Sequence, residues 1–309
     1  MNWKTKATIM RSCAVMPYGD RIYKIGQKRL GRLAAKPMSR LPVQAEMAKW
    51  ILESGRTING RHWFEVGTGH VPIIPIGFFL CGAGQLTTVD IHHRIDWDLT
   101  RRTLQWMAVH EQELRTLYRG LVNENIFNER FDLLTSFAHE PKRFINQANI
   151  DYQAPMDASR TNLPYHSVDF HFSMTTLEHI SPQIIRDIFI EAKRIIKTNG
   201  AAIHFIDLSD HFQHQDSSIT RINFLRYGER EWQRIAGNEF AYCNRIRASE
   251  YLRMFEELFY TVNRYQSNVD QESMAGLLKG EFALDSGFLS YTPMDNCTIT
   301  LKVLLTPLH

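Results

Sequence analysis

Apolar positions change period repeatedly along this chain, and the changes mark out its elements. In the run LPVQAEMAKWILE that begins at Leu41, Val43, Met47, Ala48 and Ile51 share one helical face. Gly55 is suited to end that helix. Arg61 to Val66 (RHWFEV) is apolar and β-prone and runs into a glycine-rich turn. An apolar helix follows over Val71 to Leu80, closed by Gly82 and Gly84, and then a second strand over Gln85 to Ile91. The pattern next predicts a long polar helix over about residues 99–120, a short third strand at Ile150 to Ala154 and a fourth at Val168 to Ser173. Ser181 to Ile196 reads as a helix with Ile184, Ile185, Ile188, Phe189, Ala192 and Ile195 facing inward, Ser181 as N-cap and Pro182 at the first position. Asn199-Gly200 predicts a turn, Ala201 to Ile206 a fifth strand, residues 249–258 a helix, and Tyr260 to Tyr265 and Cys297 to Leu305 two further strands. Residues 207–248 are polar and aromatic and show no clear period.

Strands alternating with helices argue for a mostly parallel sheet covered on both faces. The pattern divides the chain into a basic helical N-terminal arm or cap (1–58), a core (59–206), an insert (207–248) and a segment completing the sheet (249–309). Composition changes this picture little. Of 309 residues, 44% are apolar and 22% charged, which fits a folded globular enzyme rather than a disordered chain. A net charge of +3 does not by itself point to nucleic acid. Cys13, Cys81, Cys243 and Cys297 lie far apart with no CxxC pair, which favours free thiols in a reducing compartment over disulfides or zinc. No signal-peptide pattern opens the sequence, and the most apolar run, Val71 to Leu80, is too short to span a bilayer. A cytoplasmic protein is the expectation. Charge is uneven, however. Residues 1–40 hold ten Lys or Arg (Lys4, Lys6, Arg11, Arg21, Lys24, Lys28, Arg29, Arg32, Lys36, Arg40) against one acid, Asp20. They form either a solvated helical face, with Ile22, Ile25, Leu30 and Leu33 loosely spaced within it, or a patch for an anionic surface at the inner membrane.

The densest chemistry follows the first strand, in Phe64-Glu65-Val66-Gly67-Thr68-Gly69-His70. Gly67 and Gly69 let the backbone turn sharply and approach a ligand closely. Glu65 can accept from a cationic amino group, and Asp90, 21 residues beyond Gly69 at the end of the second strand, can take both hydroxyls of a ribose. A dinucleotide loop needs a third glycine where this chain has Pro72, which disfavours NAD.

Together with Asp157-Ala158, Leu163-Pro164-Tyr165, Ser167-Val168-Asp169-Phe170 and Leu177-Glu178-His179-Ile180, these residues resemble the class I S-adenosylmethionine (SAM) dependent methyltransferases, in particular the small-molecule branch called type 11. The resemblance spans about residues 60–206. It implies a Rossmann-like sheet of seven strands, the last antiparallel. It also implies that Glu65, Gly67 and Gly69 contact the methionine part of SAM, Asp90 the ribose, and Asp157 with Ala158 the adenine, while Ser173 and Thr175 line the pocket near the sulfonium. S-adenosylhomocysteine would be the product. Two departures stand out: Val71 replaces the usual third glycine, and Ile91-His92-His93 makes the ribose edge unusually basic.

Acceptor chemistry is expected beyond the carboxyl ends of the strands. The segment after the fifth strand holds Asp207, Asp210, His211 and His214. His211 is the candidate general base, oriented by Asp210 or Asp207. The same four residues could instead hold a divalent metal, or simply pair with one another on the surface; the preferred reading has no metal. His179 stands in a run that recurs near methyltransferase active sites and could equally serve packing or capping. Arg221, Arg226, Arg230, Arg234, Arg245 and Arg247, interleaved with Phe224, Tyr227, Trp232 and Tyr242, suit a sugar or an anionic group, or are solvated arginines of an ordinary insert. A weaker similarity to enzymes of bacterial polysaccharides and natural products favours an O-methyltransferase acting on a small molecule or glycan, with a cell-surface or lipid-linked saccharide preferred. The alternatives are a nucleic-acid methyltransferase, disfavoured by Ser173-Met174-Thr175-Thr176 after the fourth strand, and a catalytically inactive SAM-fold scaffold, suggested by Val71.

Overall fold

The computed structural model describes residues 1–19, 22, 23, 25, 26 and 34–309. Seven strands form one sheet: β1 (His62–Val66), β2 (Gln85–Val89), β3 (Ile150–Gln153), β4 (Val168–Met174), β5 (Ile196–Asp207), β6 (Tyr260–Val269) and β7 (Thr298–Pro307). Their order is β3-β2-β1-β4-β5-β7-β6. All neighbours from β3 to β5 run parallel, and β7 runs antiparallel to both β5 and β6. This is the sheet expected from the sequence, with the last strand reversed. Every residue of β4 is buried, as befits a central strand covered on both faces.

Helix α1 (Trp3–Val15) opens the chain, and α2 (Leu41–Glu53) packs on α3 (Ile73–Leu80). Met47, Ala48 and Ile51 are fully buried on the predicted face of α2, and Gly55 follows it at φ +79°. Helix α3 is apolar all round and buried throughout, so it lies inside the molecule rather than on it. The predicted polar helix is two helices, α4 (Trp97–Val109) and α5 (Glu111–Tyr118), separated at His110, whose φ of −112° and ψ of 39° are not helical. Two more, α6 (Glu124–Ser136) and α7 (Pro141–Gln147), fill the connection to β3.

Helix α8 (Pro182–Ile195) buries Ile185, Ile188, Phe189, Ala192 and Ile195 as predicted, but Ile184 is exposed. Pro182 opens the helix; the Ser181 side chain makes no capping bond. The predicted Asn199-Gly200 turn lies within β5, where pairing with β4 jumps from Val168–Ile196 to Phe170–Ala201. A Cβ at Gly200 would meet the Asp169 carbonyl at 2.5 Å, so this bulge requires glycine. Beyond β5 come α9 (Glu229–Ala236), α10 (Ala248–Glu257), α11 (Gln271–Leu278) and α12 (Pro293–Asn296).

Helix α1 packs onto the segment after β5. Trp3, Ala7 and Met10 join Phe212, Ile222, Phe224 and Trp232 in one apolar cluster. The Trp3 and Phe212 rings lie 5.6 Å apart, and the Arg11 guanidinium donates to the Arg234 carbonyl at 3.0 Å. Lys6 is buried with its ammonium 5.2 Å from the centre of the Phe212 ring. Of the basic residues singled out above, Arg21, Lys24, Lys28, Arg29 and Arg32 lie outside the described residues, as do Leu30 and Leu33. All four cysteines are buried and free. Among the described residues no helix is long and apolar enough to cross a membrane.

Candidate active site

The turn after β1 is fixed by its glycines. Gly67 has φ +88°, and its N–H donates to the Val89 carbonyl at 2.9 Å. A Cβ there would sit 2.4 Å from Thr176 Cγ2. Gly69, at φ +70°, donates its N–H to Asp90 Oδ2 at 3.0 Å. The turn and the acid predicted to bind ribose are therefore one hydrogen-bonded unit. Burial lifts the Asp90 carboxyl to about 6, against the Gly69 N–H that favours its charged form.

Glu65 is buried at 2% exposure and accepts from the Thr88 hydroxyl, which also meets Thr68 Oγ1. Burial raises its pKa to about 8; the Thr88 bond pulls down and the Asp90 charge pushes up. A bound ammonium group beside a buried carboxyl of this kind would restore its charged form. Asp157 comes to the end of β2 through the Met156 N–H, which donates to the Asp90 carbonyl at 2.9 Å. Its exposed carboxylate accepts from Ser159 N–H and Oγ at 2.8 and 2.7 Å. Ala158 is buried in the cluster that holds Val66 and Val89. Val71 packs against the main core, and Ile91, His92 and His93 are exposed.

Ser173 does not take its expected place. It is fully buried, with its hydroxyl 2.7 Å from His204 Nδ1. Strand alternation is the reason: His171 and Ser173 share one face of β4, where the His171 and His204 rings pack against Phe189 of α8. Burial pushes both histidines far down, His171 to about 3. Thr175 does reach a cavity. It follows β4 at φ +50°, and its hydroxyl accepts from Arg40 Nη1 at 2.9 Å.

That cavity holds about 350 Å³ and is walled by Thr175, Glu178, His179, Asp207, His211 and His214, with Phe224 and Trp232 among its apolar lining. It gathers most of the residues predicted for the acceptor side. Asp207 Oδ1 accepts from the Ser209 N–H and hydroxyl at 2.9 and 2.6 Å, and Oδ2 faces His211 Nε2 at 3.5 Å and His214 Nε2 at 3.9 Å. Burial works to raise the Asp207 carboxyl, but His211 and Ser209 outweigh it and hold it at about 2. Burial likewise works against a charged His211, and the facing Asp207 overrides it and raises that pKa. Among the described residues it is Asp207, and not Asp210, that pairs with His211. Asp210 is 1% exposed and accepts from the Phe212 N–H at 2.8 Å and Asn223 Nδ2 at 3.2 Å, so it ties down its own loop.

Glu178 was missed by sequence reasoning, although it stands beside His179 in the recognised run. It is 1% exposed on the cavity wall, and no side chain among the described residues donates a hydrogen bond to either carboxylate oxygen. Burial raises its pKa to about 8. Asn244 clamps the run by donating from Nδ2 to the Leu177 and Ile180 carbonyls, each at 2.8 Å. His179 is solvent-accessible, with Nδ1 2.9 Å from the Tyr242 carbonyl.

Two of the six interleaved arginines are structural. Arg247, 1% exposed, donates to the Leu208 carbonyl at 3.1 Å, and Arg245 donates to the Phe224 and Tyr227 carbonyls at 2.9 and 2.6 Å. Their guanidiniums stack near Phe224 and Trp232, and neither is presented to an anionic ligand.

No family model and no curated protein matches the chain. Solved structures do. A SAM-dependent methyltransferase from Methanosarcina mazei aligns at 11% identity and TM-score 0.47, covering 84% of this chain and 97% of that one. Geranyl diphosphate C-methyltransferase from Streptomyces coelicolor, in complex with Mg2+, geranyl diphosphate and S-adenosylhomocysteine, aligns at 10% and 0.46, covering 84% and 78%. A structure described as a putative methyltransferase from Bacillus halodurans aligns at 11% and 0.42, covering 84% and 99%. Likeness of this degree is similarity only and decides nothing about the reaction.

Proposed function

We propose that this protein is a SAM-dependent methyltransferase acting on a small-molecule acceptor. The observation that carries the proposal is the unit at the ends of β1 and β2. There Glu65 is buried with the Thr88 hydroxyl as its donor, Gly67 leaves no room for a side chain, and the Gly69 N–H is tied to Asp90. Glu65 and the Gly67–Gly69 turn would hold the amino-acid part of the cofactor, Asp90 the ribose, and Asp157 with Ala158 the adenine. The cofactor supplies a methyl group on a sulfonium, already activated for transfer. The acceptor cavity begins where this turn ends, because Thr176 abuts Gly67 and Thr175 lines the cavity.

The polar groups that line the cavity suit a hydroxyl acceptor. His211, backed by Asp207, is the group placed to receive the hydroxyl's proton. Polar and aromatic lining together also suit a saccharide. On this reading the protein works in the cytoplasm, with its basic N-terminal residues near an anionic membrane carrying a lipid-linked acceptor. Loss of vesicle binding on removal of residues 1–40 would support that last element, and unchanged binding would remove it.

The decisive test is a thermal-shift titration with SAM, S-adenosylhomocysteine and NAD, with Asp90→Ala in parallel. Ligand at 100 times its dissociation constant adds about 2.7 kcal/mol. A shift with the first two alone, lost in the variant, is expected. No shift with either overturns the proposal and leaves a scaffold.

A further inference from the structure

We infer that Glu178, His179 and His211 form a binding site for one divalent transition-metal cation on the wall of the acceptor cavity. One ligand atom from each residue lies within 4.8 Å of the others. Metal–ligand bonds of about 2.1 Å in tetrahedral geometry place ligand atoms about 3.4 Å apart. Modest side-chain rotations therefore close the site.

The state of Glu178 is an independent indication. Its carboxyl is 1% exposed and lines the cavity; the donors that face it are the backbone N–H groups of Glu178 and Asp207, neither in good hydrogen-bonding geometry, and no side chain among the described residues donates to it. Buried carboxyls are ordinarily paired, hydrogen-bonded or bound to metal. Glu65, equally buried, has a hydroxyl donor in bonding geometry; Glu178 has no side-chain donor among the described residues.

The imidazoles are arranged as ligands are. The Tyr242 carbonyl, 2.9 Å from His179 Nδ1, can only accept, so Nδ1 carries the proton and the Nε2 lone pair is free. At His211 it is Nε2 that faces the Asp207 carboxylate, at 3.5 Å, which leaves Nδ1 free. A carbonyl or carboxylate behind each ring is the usual outer support of a metal-bound histidine. The Asn244 clamp holds the run that carries Glu178 and His179, and the Ser209–Asp207 bonds hold the Asp207 carboxylate. The set Asp207, Asp210, His211 and His214 is not gathered in this way, because Asp210 is committed to Phe212 and Asn223.

One carboxylate with two imidazoles suits Mn2+, Fe2+, Co2+ or Zn2+ better than Mg2+ or Ca2+. A cation there faces the cavity and can take an acceptor hydroxyl oxygen as a further ligand, lowering its pKa. The inference rests on the acceptor cavity proposed above and replaces His211's role as base with that of a ligand; the acidified hydroxyl then gives its proton to solvent water before its oxygen takes the methyl group.

The test uses the full chain, stripped with a chelator and titrated with Co2+ by visible absorption and with Mn2+ by electron paramagnetic resonance. One equivalent is expected to bind. Glu178→Gln and His179→Ala are expected to weaken binding more than about tenfold, while His214→Asn leaves it intact. No stoichiometric binding by the wild type, full binding by Glu178→Gln, or loss confined to His214→Asn overturns the site. A thermal shift with S-adenosylhomocysteine checks that each variant is folded. It also separates the two proposals: a chain that binds the cation but not this ligand keeps the site and loses the methyltransferase reading, and the opposite result loses only the site.

Discussion

Glu65 and Glu178 are both buried carboxyls at the carboxyl ends of neighbouring strands, and burial lifts both to about 8. Their surroundings differ. Glu65 is embedded in a local device: its hydroxyl partner is on the adjacent strand, and the glycine turn starts two residues later. Glu178 sits in a pocket assembled from α1, the run after β4, the segment after β5 and the loop before α10. The cofactor end is thus a short-range construction that one strand pair can complete. The acceptor end exists only once distant segments have packed, with Trp3 and Phe212 at the seam. On the proposed reading the first would receive a cationic ligand group and the second a cation beside a carboxyl that no side chain donates to.

Several substitutions would sharpen or break this contrast. The largest effect is expected from His211→Ala, which should lower turnover about a hundredfold or more while leaving S-adenosylhomocysteine affinity unchanged. Parallel loss of ligand affinity would show that the two ends are not separable. Asp90→Ala should do the reverse, weakening that ligand by roughly tenfold to a hundredfold, since hydrogen bonds to a charged group contribute about 1.5–3 kcal/mol; calorimetry checks this.

Gly67→Ala should cost about 1–3 kcal/mol of stability, combining left-handed strain with the clash against Thr176. Thr176→Ala in the same chain should restore only the part due to the clash. Equal denaturation midpoints for wild type and Gly67→Ala would contradict the geometry.

The smallest effect concerns protons. Glu65 keeps its proton in the folded chain up to about pH 8 but loses it near 4.5 when unfolded. Its contribution to stability is therefore full below pH 4.5 and is lost as pH rises through about 8. Asp90 pushes in the same direction as burial, whereas Thr88 and Arg40 oppose it. Binding a cationic amino group should release close to one proton at pH 6. Calorimetry in buffers of different ionisation enthalpy should detect this release in the wild type and not in Glu65→Gln.

The cofactor end was largely legible before folding was considered. Glu65, Gly67, Gly69 and Asp90 are close in sequence, and a strand, a turn and the next strand end suffice to bring them together. Ser173 was misplaced because its neighbours in the run suggested a site while the period of β4 turns it toward His204. The long polar helix hid a break at His110, since periodicity alone does not register one non-helical residue. The six arginines looked alike in sequence, yet Arg245 and Arg247 are spent on backbone carbonyls that only the folded insert brings near.

The sequence alone determined the alternation of strands and helices and the residues at the ends of β1 and β2. All of these depend on short-range periodicity and on the backbone freedom of glycine. Tertiary structure decided which acid faces His211, the burial of Lys6 under the insert, and the meeting of Glu178 with His179 and His211. Those outcomes depend on which distant segments share a cavity, and on the cost of burying a charge there, neither of which the linear order expresses.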